Sequence, residues 1–244
     1  RYFMRRYYRG RHVPGGDTCG HPISDAGSHS MRRNLSSPFR TLLAPVLVAL
    51  ACVTGCASSA RTPEPPATAP EVDQRILGSA DAQVMIIEFT DLQCPYCARF
   101  ARDTWPLLRE RYVDTGKVRF ATRDLPLPFH AFALPAAVAA RCAGQQGKFW
   151  EYREALFRDQ SLPGHERYVE LAGTFGLDTQ RFESCRADPA VLKAVRADAA
   201  LAASSGIAST PSFMIGRVVN GQFEGEVIAG AQPFEVFQQR LDSL

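Results

Sequence analysis

The strongest constraint on the fold is an apolar segment that leads directly into two closely spaced cysteines. Residues 82–90 read AQVMIIEFT, and DLQCPYC follows at 91–97. The first segment is rich in β-branched and aromatic residues and is almost continuously apolar, which predicts a strand buried on both faces of a sheet. The sequence after the cysteines predicts a helix, because apolar residues recur three and four positions apart. They are Ala98, Ala101, Trp105, Leu108 and Tyr112.

The two cysteines, Cys94 and Cys97, have a spacing that favours redox chemistry. Pro95 suits the first position of a helix, which puts Cys94 at the helix N-terminus. Unpaired N–H groups and the helix dipole stabilise a thiolate there, so Cys94 is the predicted exchanging sulfur and Cys97 its partner one turn later. A purely structural bond across so short a loop would constrain the unfolded chain little. Structural zinc usually needs a second cysteine pair or two histidines, and beyond residue 73 the histidines are His130 and His165.

The remaining segments predict one sheet interrupted by helices. The expected elements are a strand at 118–125, a helical pattern over 129–205, a hairpin of strands 212–216 and 225–228 turning at Asn220-Gly221, and a helix at 234–241. Pro106 should kink the helix that follows the cysteines. The fold class is therefore α/β, in the order βαβ, helical block, ββα. Residues 74–126 and 206–244 should share the sheet, with residues 127–205 as a helical insertion.

The N-terminal region has the pattern of an export signal. Residues 1–30 are interpreted as upstream translation or a disordered arm. From Met31, a basic stretch precedes the apolar run at 41–53, which is too short to span a bilayer and fits a signal peptide over residues 31–55. Residues 56–73 are rich in Pro, Ala, Ser and Thr and predict a semi-extended tether. The folded part of the chain is thus expected in the bacterial cell envelope.

The end of that signal, Val53-Thr54-Gly55-Cys56, resembles the processing site of bacterial lipoproteins. The resemblance implies that Cys56 takes the lipid and becomes the mature N-terminus, so that the lipid is the only contact with the membrane. An ordinary signal peptide cut near Ala57-Ser58 is the alternative.

Charge and cysteine content narrow the class of protein further. The first 56 residues hold 8 of the 28 Lys and Arg residues but only 2 of the 25 Asp and Glu residues, so the rest of the chain is slightly acidic. This part has no basic stripe, and nucleic acid is not an expected partner. Four cysteines in an exported domain suggest disulfides. The spacing favours Cys94 with Cys97, which leaves Cys142 with Cys185, unless these last two are buried free thiols.

Three short motifs together resemble the DsbA-like branch of the thioredoxin superfamily. They are Glu88-Phe89-Thr90-Asp91, Cys94-Pro95-Tyr96-Cys97 and Ser209-Thr210-Pro211-Ser212-Phe213. Gly78 and the segment Gly147-Lys148-Phe149-Trp150 also look like that branch, and the resemblance covers about residues 74–244. It implies a thioredoxin fold with Cys94 as nucleophile and Cys97 as resolving thiol.

The resemblance also assigns roles to residues around the cysteines. It implies a cis peptide at Thr210-Pro211 beside Cys94, which would present main-chain groups to an extended substrate. The alternative for Pro211 is an ordinary proline at the start of a strand. It further implies that Glu88 lies near the buried cysteine as a proton acceptor. The alternative for Glu88 is a position at a strand edge, facing water.

One residue departs from the pattern of the strongest oxidases of this group. Tyr96 stands where those proteins have a histidine, and a tyrosine cannot supply a positive charge to the thiolate. Only moderate acidification of Cys94 is therefore expected, although the Thr210 hydroxyl can reach toward the same sulfur.

These observations predict an exported thiol–disulfide oxidoreductase acting on cysteine-containing proteins, with net oxidation favoured. A mixed disulfide on Cys94 would be resolved by Cys97. No metal or organic cofactor is expected, the chain should be a monomer, and a membrane redox partner of unidentified nature is needed. The alternatives are a reductase or isomerase fed by a membrane electron donor, and a tethered binding protein or holdase whose cysteine pair stays closed.

Overall fold

The structure is a computed structural model, and it describes residues 73–161 and 164–244. The predicted leader, signal peptide, lipidation site at Cys56 and nearly all of the tether lie outside the described residues. Within them, no helix is both long enough and apolar enough to cross a membrane.

A five-stranded mixed sheet forms the centre of the described chain. Its strands are β1 (Ile76–Leu77), β2 (Val84–Thr90), β3 (Val118–Asp124), β4 (Ser212–Val219) and β5 (Gln222–Ala229). The order across the sheet is β1-β3-β2-β4-β5. β2 is parallel to β3 and antiparallel to β4, and β4 forms a hairpin with β5. The two sheet-forming parts of the sequence therefore do share one sheet, as predicted.

Two details of the sheet differ from the sequence prediction. The hairpin turns at Asn220-Gly221 as expected, with positive φ at both residues, but its strands run right up to the turn. The short strand β1 was not predicted, because two residues are too few to show an alternating pattern. It pairs antiparallel with β3 at the edge of the sheet.

The central strand β2 is buried on both faces, which explains its nearly continuous apolar sequence. Ile86 belongs to the larger hydrophobic cluster, which also contains Cys94, Cys97 and the aromatic residues of several helices. Met85, Ile87 and Phe89 belong to a second cluster on the other face of the sheet. Because side chains alternate along a strand, Glu88 and Thr90 project on the same face as Ile86 and the two cysteines.

The helix that follows the cysteines is broken into pieces, as Pro106 predicted. Helix α1 (Pro95–Asp103) is followed by the short helix α2 (Trp105–Leu108) and a π-helical turn at Arg109–Val113. Pro106 lies in the first turn of α2, where its missing N–H leaves no intrahelical bond unmade. The Thr104 hydroxyl at the break donates a hydrogen bond of 2.9 Å to the carbonyl oxygen of Gln232.

In the part of the chain that the structure describes, five helices lie between β3 and β4, and one follows the hairpin. They are α3 (Ala133–Gly144), α4 (Phe149–Arg158), α5 (His165–Thr174), α6 (Thr179–Arg186), α7 (Pro189–Ser204) and the final helix α8 (Phe234–Asp242). Helix α6 was not predicted as a separate element, because its sequence is polar and buries only Phe182 and Cys185. A disulfide between Cys142 and Cys185 joins α3 to α6, with a Cα–Cα distance of 5.7 Å.

Candidate active site

The redox motif lies at the junction of β2 and α1. Cys94 is the N-cap residue of α1 in an extended conformation, and Pro95 occupies the first turn. Both cysteines are thiols and both are buried, with exposed fractions of 3% for Cys94 and 0% for Cys97. Tyr96, between them, is 57% exposed. The motif therefore presents a tyrosine to solvent and keeps its second sulfur fully covered.

A cis peptide bond lies directly against the first cysteine. Thr210-Pro211 is cis, and β4 begins at the next residue, Ser212. The Cys94 sulfur is 3.5 Å from the carbonyl oxygen of Thr210. The Thr210 hydroxyl is buried and has no hydrogen-bond partner among the described residues, which leaves it available to a thiolate on Cys94.

The surroundings of Cys94 stabilise its charged form strongly. Its pKa is lowered from 9.0 to about 5, chiefly because the Cys97 thiol donates a hydrogen bond to it. Burial opposes this effect, and the Thr210 hydroxyl and the N–H groups of Tyr96 and Cys97 add to it. The acidification is larger than the moderate one expected from the missing histidine. The reason is that neutral donors around the sulfur replace the absent positive charge.

The pKa of the second cysteine is shifted in the opposite direction. Burial raises the pKa of Cys97 well above 9.0, and the neighbouring Cys94 raises it further. The Thr90 hydroxyl works against this rise. One sulfur is thus a ready thiolate near neutral pH, while the other needs a base to become one.

Glu88 is buried rather than at a strand edge. Its side chain is fully covered and lies in the middle of the sheet, so the water-facing alternative is excluded. Burial raises the pKa of Glu88, and Arg153 of helix α4 opposes the rise. The Arg153 guanidinium is also fully buried and donates to both carboxylate oxygens, at 2.8 and 2.7 Å. The Thr90 and Thr122 hydroxyls also favour the ionised carboxylate.

Sequence reasoning missed several residues that hold the motif in place. Arg153 could have been suspected, because it is a charge in phase with the buried aromatic residues of α4. Gln160 donates to the carbonyl oxygens of Leu92 and Cys94, and nothing in the sequence signalled this contact. His130, considered in the sequence analysis only as a zinc ligand, pairs through Nδ1 with the buried carboxylate of Asp91 at 2.8 Å. That carboxylate also accepts from the backbone N–H of Gln93, next to Cys94.

The two cysteines predicted to form a structural disulfide are not part of this active-site cluster. Cys142 and Cys185 are bonded to each other in the helical insertion and do not titrate. The structure thus brings Cys94, Thr210 and Pro211 together at the N-terminus of α1. Cys97 and Glu88 lie on the covered side of the motif.

Comparison with known proteins shows the family to which this chain belongs. The chain matches the thioredoxin family model over residues 71–242. It is 34% identical over 198 residues to a Na⁺/H⁺ antiporter NhaA of Herminiimonas arsenicoxydans, a match that covers 80% of this chain and 31% of that protein. It is 23% identical over 162 residues to a protein of Rickettsia bellii named as a protein-disulfide oxidoreductase, covering 64% of this chain and 62% of the relative.

Among solved structures, α-DsbA1 of Wolbachia pipientis superposes with a TM-score of 0.63 at 26% identity. The match covers 70% of this chain and 89% of the Wolbachia chain. The chain spans under two thirds of the Rickettsia relative and under one third of the antiporter. The family match, the fold and the geometry around Cys94 agree, and the chain belongs to the DsbA-like branch of the thioredoxin superfamily.

Proposed function

We propose that the protein is a thiol–disulfide oxidoreductase that exchanges disulfides with cysteine-containing proteins through Cys94 and Cys97. The observation that supports this best is the opposite shift of the two sulfurs. The pKa of Cys94 is about 5, while that of Cys97 is raised well above 9.0. A structural cysteine pair has no need of such a difference, whereas disulfide exchange needs one good leaving thiolate and one protected thiol.

Net oxidation of the substrate is the favoured direction. A substrate thiolate attacks the Cys94 sulfur of the oxidised pair, the Cys94–Cys97 bond breaks, and Cys97 leaves and takes up a proton. A second substrate thiolate then attacks the substrate sulfur of the mixed disulfide, and Cys94 leaves as a thiolate. A thiol of low pKa is the better leaving group and stabilises the reduced protein, which makes the oxidised protein a stronger oxidant. A membrane partner that accepts two electrons must then restore the Cys94–Cys97 bond.

The surface at Cys94 suits an extended polypeptide. The cis Thr210-Pro211 peptide holds the Thr210 carbonyl next to the nucleophile. Main-chain groups at such a site can pair with a peptide strand and place its cysteine at the sulfur. We further propose that residues 74–126 and 206–244 act as the thioredoxin-like domain and residues 127–205 as its helical insertion.

The function is tested by oxidising a reduced, unfolded substrate protein and, separately, by reducing insulin. Wild type with an oxidised Cys94–Cys97 pair is expected to oxidise the reduced substrate through a mixed disulfide on Cys94. Cys97→Ser, mixed instead with a disulfide-containing substrate, should accumulate the mixed disulfide on Cys94, because no second thiol of the motif can release it. Insulin reduction without substrate oxidation would favour the reductase or isomerase. Activity in neither assay, together with suppression of aggregation, would favour a tethered holdase.

Export and lipid anchoring are proposed from residues 31–56 of the sequence. Cys56→Ser should move the mature protein from the membrane fraction to the soluble fraction of the cell envelope. If the unmodified protein is already soluble after export, or if mass spectrometry finds another N-terminus, anchoring through Cys56 is wrong.

A further inference from the structure

Helix α4 and the turn after it contact the redox motif at two separate points. Arg153, in the middle of α4, bonds to Glu88 on the covered side of the motif. Gln160, two residues after the helix, donates to the carbonyl oxygens of Leu92 and Cys94, at 3.1 and 3.3 Å. One segment of the helical insertion therefore reaches both the strand beneath Cys97 and the backbone that carries Cys94.

The contact at Arg153 is a fully buried ion pair. The guanidinium lies over the rings of Trp150 and Phe157, at 5.4 and 4.8 Å from their centroids. It directs one nitrogen, Nη2, at Glu88, while Nε and Nη1 have no hydrogen-bond partner within residues 73–161 and 164–244. A guanidinium stays charged even when buried, so its unmatched donors keep a strong preference for an ionised neighbour.

Thr90 connects this pair to the second cysteine. Glu88 and Thr90 project on the same face of β2, toward the cluster that contains Cys97. The Thr90 hydroxyl favours the ionised form both of Glu88 and of Cys97, and it makes no hydrogen bond of normal geometry to any described residue. The groups that face Glu88 are thus Thr90 on its own strand, Thr122 on β3 and Arg153 on α4.

The contact at Gln160 acts on the first cysteine through the backbone. The thiolate of Cys94 is stabilised by the N–H groups of Tyr96 and Cys97, which requires the sulfur to stay aligned with the first turn of α1. Gln160 holds the carbonyls on either side of Gln93, including that of Cys94 itself. Without this restraint the loop gains freedom and the alignment weakens.

We propose that α4 and its following turn tune the two sulfurs independently, with Gln160 as the positioning residue for Cys94 and Arg153, through Glu88, as the positioning residue for Cys97. The proposal rests on the oxidoreductase function proposed above. The family resemblance implies that the Cys97 thiol gives its proton to the Glu88 carboxylate in the resolving step, and the new element is the part of Arg153 in that transfer. The Cys97 sulfur then bonds to Cys94, and the molecule held in the mixed disulfide, such as the partner that reoxidises the pair, leaves as a thiolate. Burial raises the pKa of Glu88, and the ion pair with Arg153 opposes this rise, so Arg153 favours the carboxylate form that can accept that proton.

Rapid mixing of the reduced protein with Ellman's reagent, 5,5′-dithiobis(2-nitrobenzoic acid), reports on both sulfurs in one experiment. The attack of Cys94 releases one coloured thionitrobenzoate, and the attack of Cys97 on the resulting mixed disulfide releases a second. We expect Gln160→Leu to slow the first phase at pH 5 by up to about tenfold, the change for one pKa unit, and to leave it unchanged at pH 8. The pH profile of the second phase should not move.

Arg153→Met should have the opposite effect on the two phases of this reaction, slowing the second and leaving the first unchanged. Loss of the guanidinium leaves the burial of Glu88 unopposed, so Glu88 holds a proton to higher pH and accepts none from Cys97. The second phase at pH 7 should slow by about tenfold or more, with its midpoint moved to higher pH by one unit or more. The first phase should be unchanged, and Arg153→Lys should restore part of the second-phase rate.

Gln146→Leu is the matched control, because Gln146 also joins two segments through backbone bonds, to Asp178, within the insertion. It should alter neither phase. If Arg153→Met does not fold, Arg153→Met/Glu88→Gln removes the unpaired charge and should show the same slow second phase. Equal effects of Gln160→Leu and Arg153→Met on both phases, or an effect of Gln146→Leu as large as theirs, would overturn the proposal. A wild-type protein with no second phase would instead reject the oxidoreductase function itself.

Discussion

The chain contains two pairs of cysteines that differ in almost every physical respect. Cys94 and Cys97 lie one helical turn apart at the start of α1, and both are thiols. Cys142 and Cys185 are 43 positions apart in sequence and are bonded between α3 and α6. A bond within one turn restricts the unfolded chain little, while a bond across 43 positions restricts it strongly. Spacing alone therefore divides the pairs into one suited to exchange and one suited to stability.

The two cysteine pairs also differ in the groups that surround their sulfurs. The first pair has a helix N-terminus on one side and, on the other, a cis peptide with the buried hydroxyl of Thr210. The second lies between two helices of the insertion, where Cys142 is surrounded in sequence by alanines that pack in the core. A reactive cysteine thus needs polar groups aimed at its sulfur, and a structural one needs only a partner at the right distance.

The largest expected effect comes from replacing the exchanging sulfur. Cys94→Ser should lower the rate of substrate oxidation by roughly 10³-fold or more, because a hydroxyl is not ionised at neutral pH and cannot form the mixed disulfide. The rate of thiol loss from a reduced substrate protein measures this. Equal loss of activity in a variant lacking Cys142 and Cys185 would show that the two pairs do not divide their roles.

That second pair should instead affect stability. Cys142→Ala/Cys185→Ala should lower the free energy of unfolding by about 4 kcal/mol, from the loop-closure entropy of a loop of this length. Urea unfolding of the variant and of wild type, both with Cys94 and Cys97 oxidised, gives the difference. The reduction potential of the Cys94–Cys97 pair should stay the same. A clear change in that potential would show that the two pairs are energetically coupled.

Only part of the difference between the two cysteine pairs could be predicted from the sequence. The i,i+3 spacing and Pro95 predicted the helix N-terminus, and the apolar run at 82–90 predicted the central strand, since both signals are local. The strength of acidification at Cys94 was not predicted, because it depends on how closely the Cys97 thiol and, from 116 residues away, Thr210 approach the sulfur in the packed structure. Arg153 and Gln160 were missed for the same reason, because their partners are set by how α4 packs on the sheet.

The pH dependence of stability gives a third test of the contrast between the two cysteine pairs. The pKa of Cys94 falls from 9.0 to about 5 on folding, so its thiolate stabilises the reduced protein. This contribution is fully present above about pH 9 and is lost as the pH falls through about 5. The Cys142–Cys185 pair contributes no such dependence, since it does not titrate. Urea unfolding of the reduced protein at pH 4.5 and 7.5 should therefore show a loss at low pH that is smaller in Cys94→Ser.

The smallest expected effect isolates a single hydroxyl at the reactive pair. Thr210→Val keeps the shape of the side chain but removes the group that can donate to the Cys94 thiolate, so the pKa of Cys94 should rise by up to about one unit. The thiolate absorbance of the reduced protein, titrated from pH 3 to 8, measures this shift. Thr90→Val is the matched control, because Thr90 is also buried but faces Cys97. If Thr90→Val moved the Cys94 titration as far as Thr210→Val does, general repacking around the motif, and not the Thr210 hydroxyl, would account for the acidity of Cys94. If only Thr210→Val moves it, the exchange reactivity of this pair depends in part on a donor contributed by the cis-proline segment.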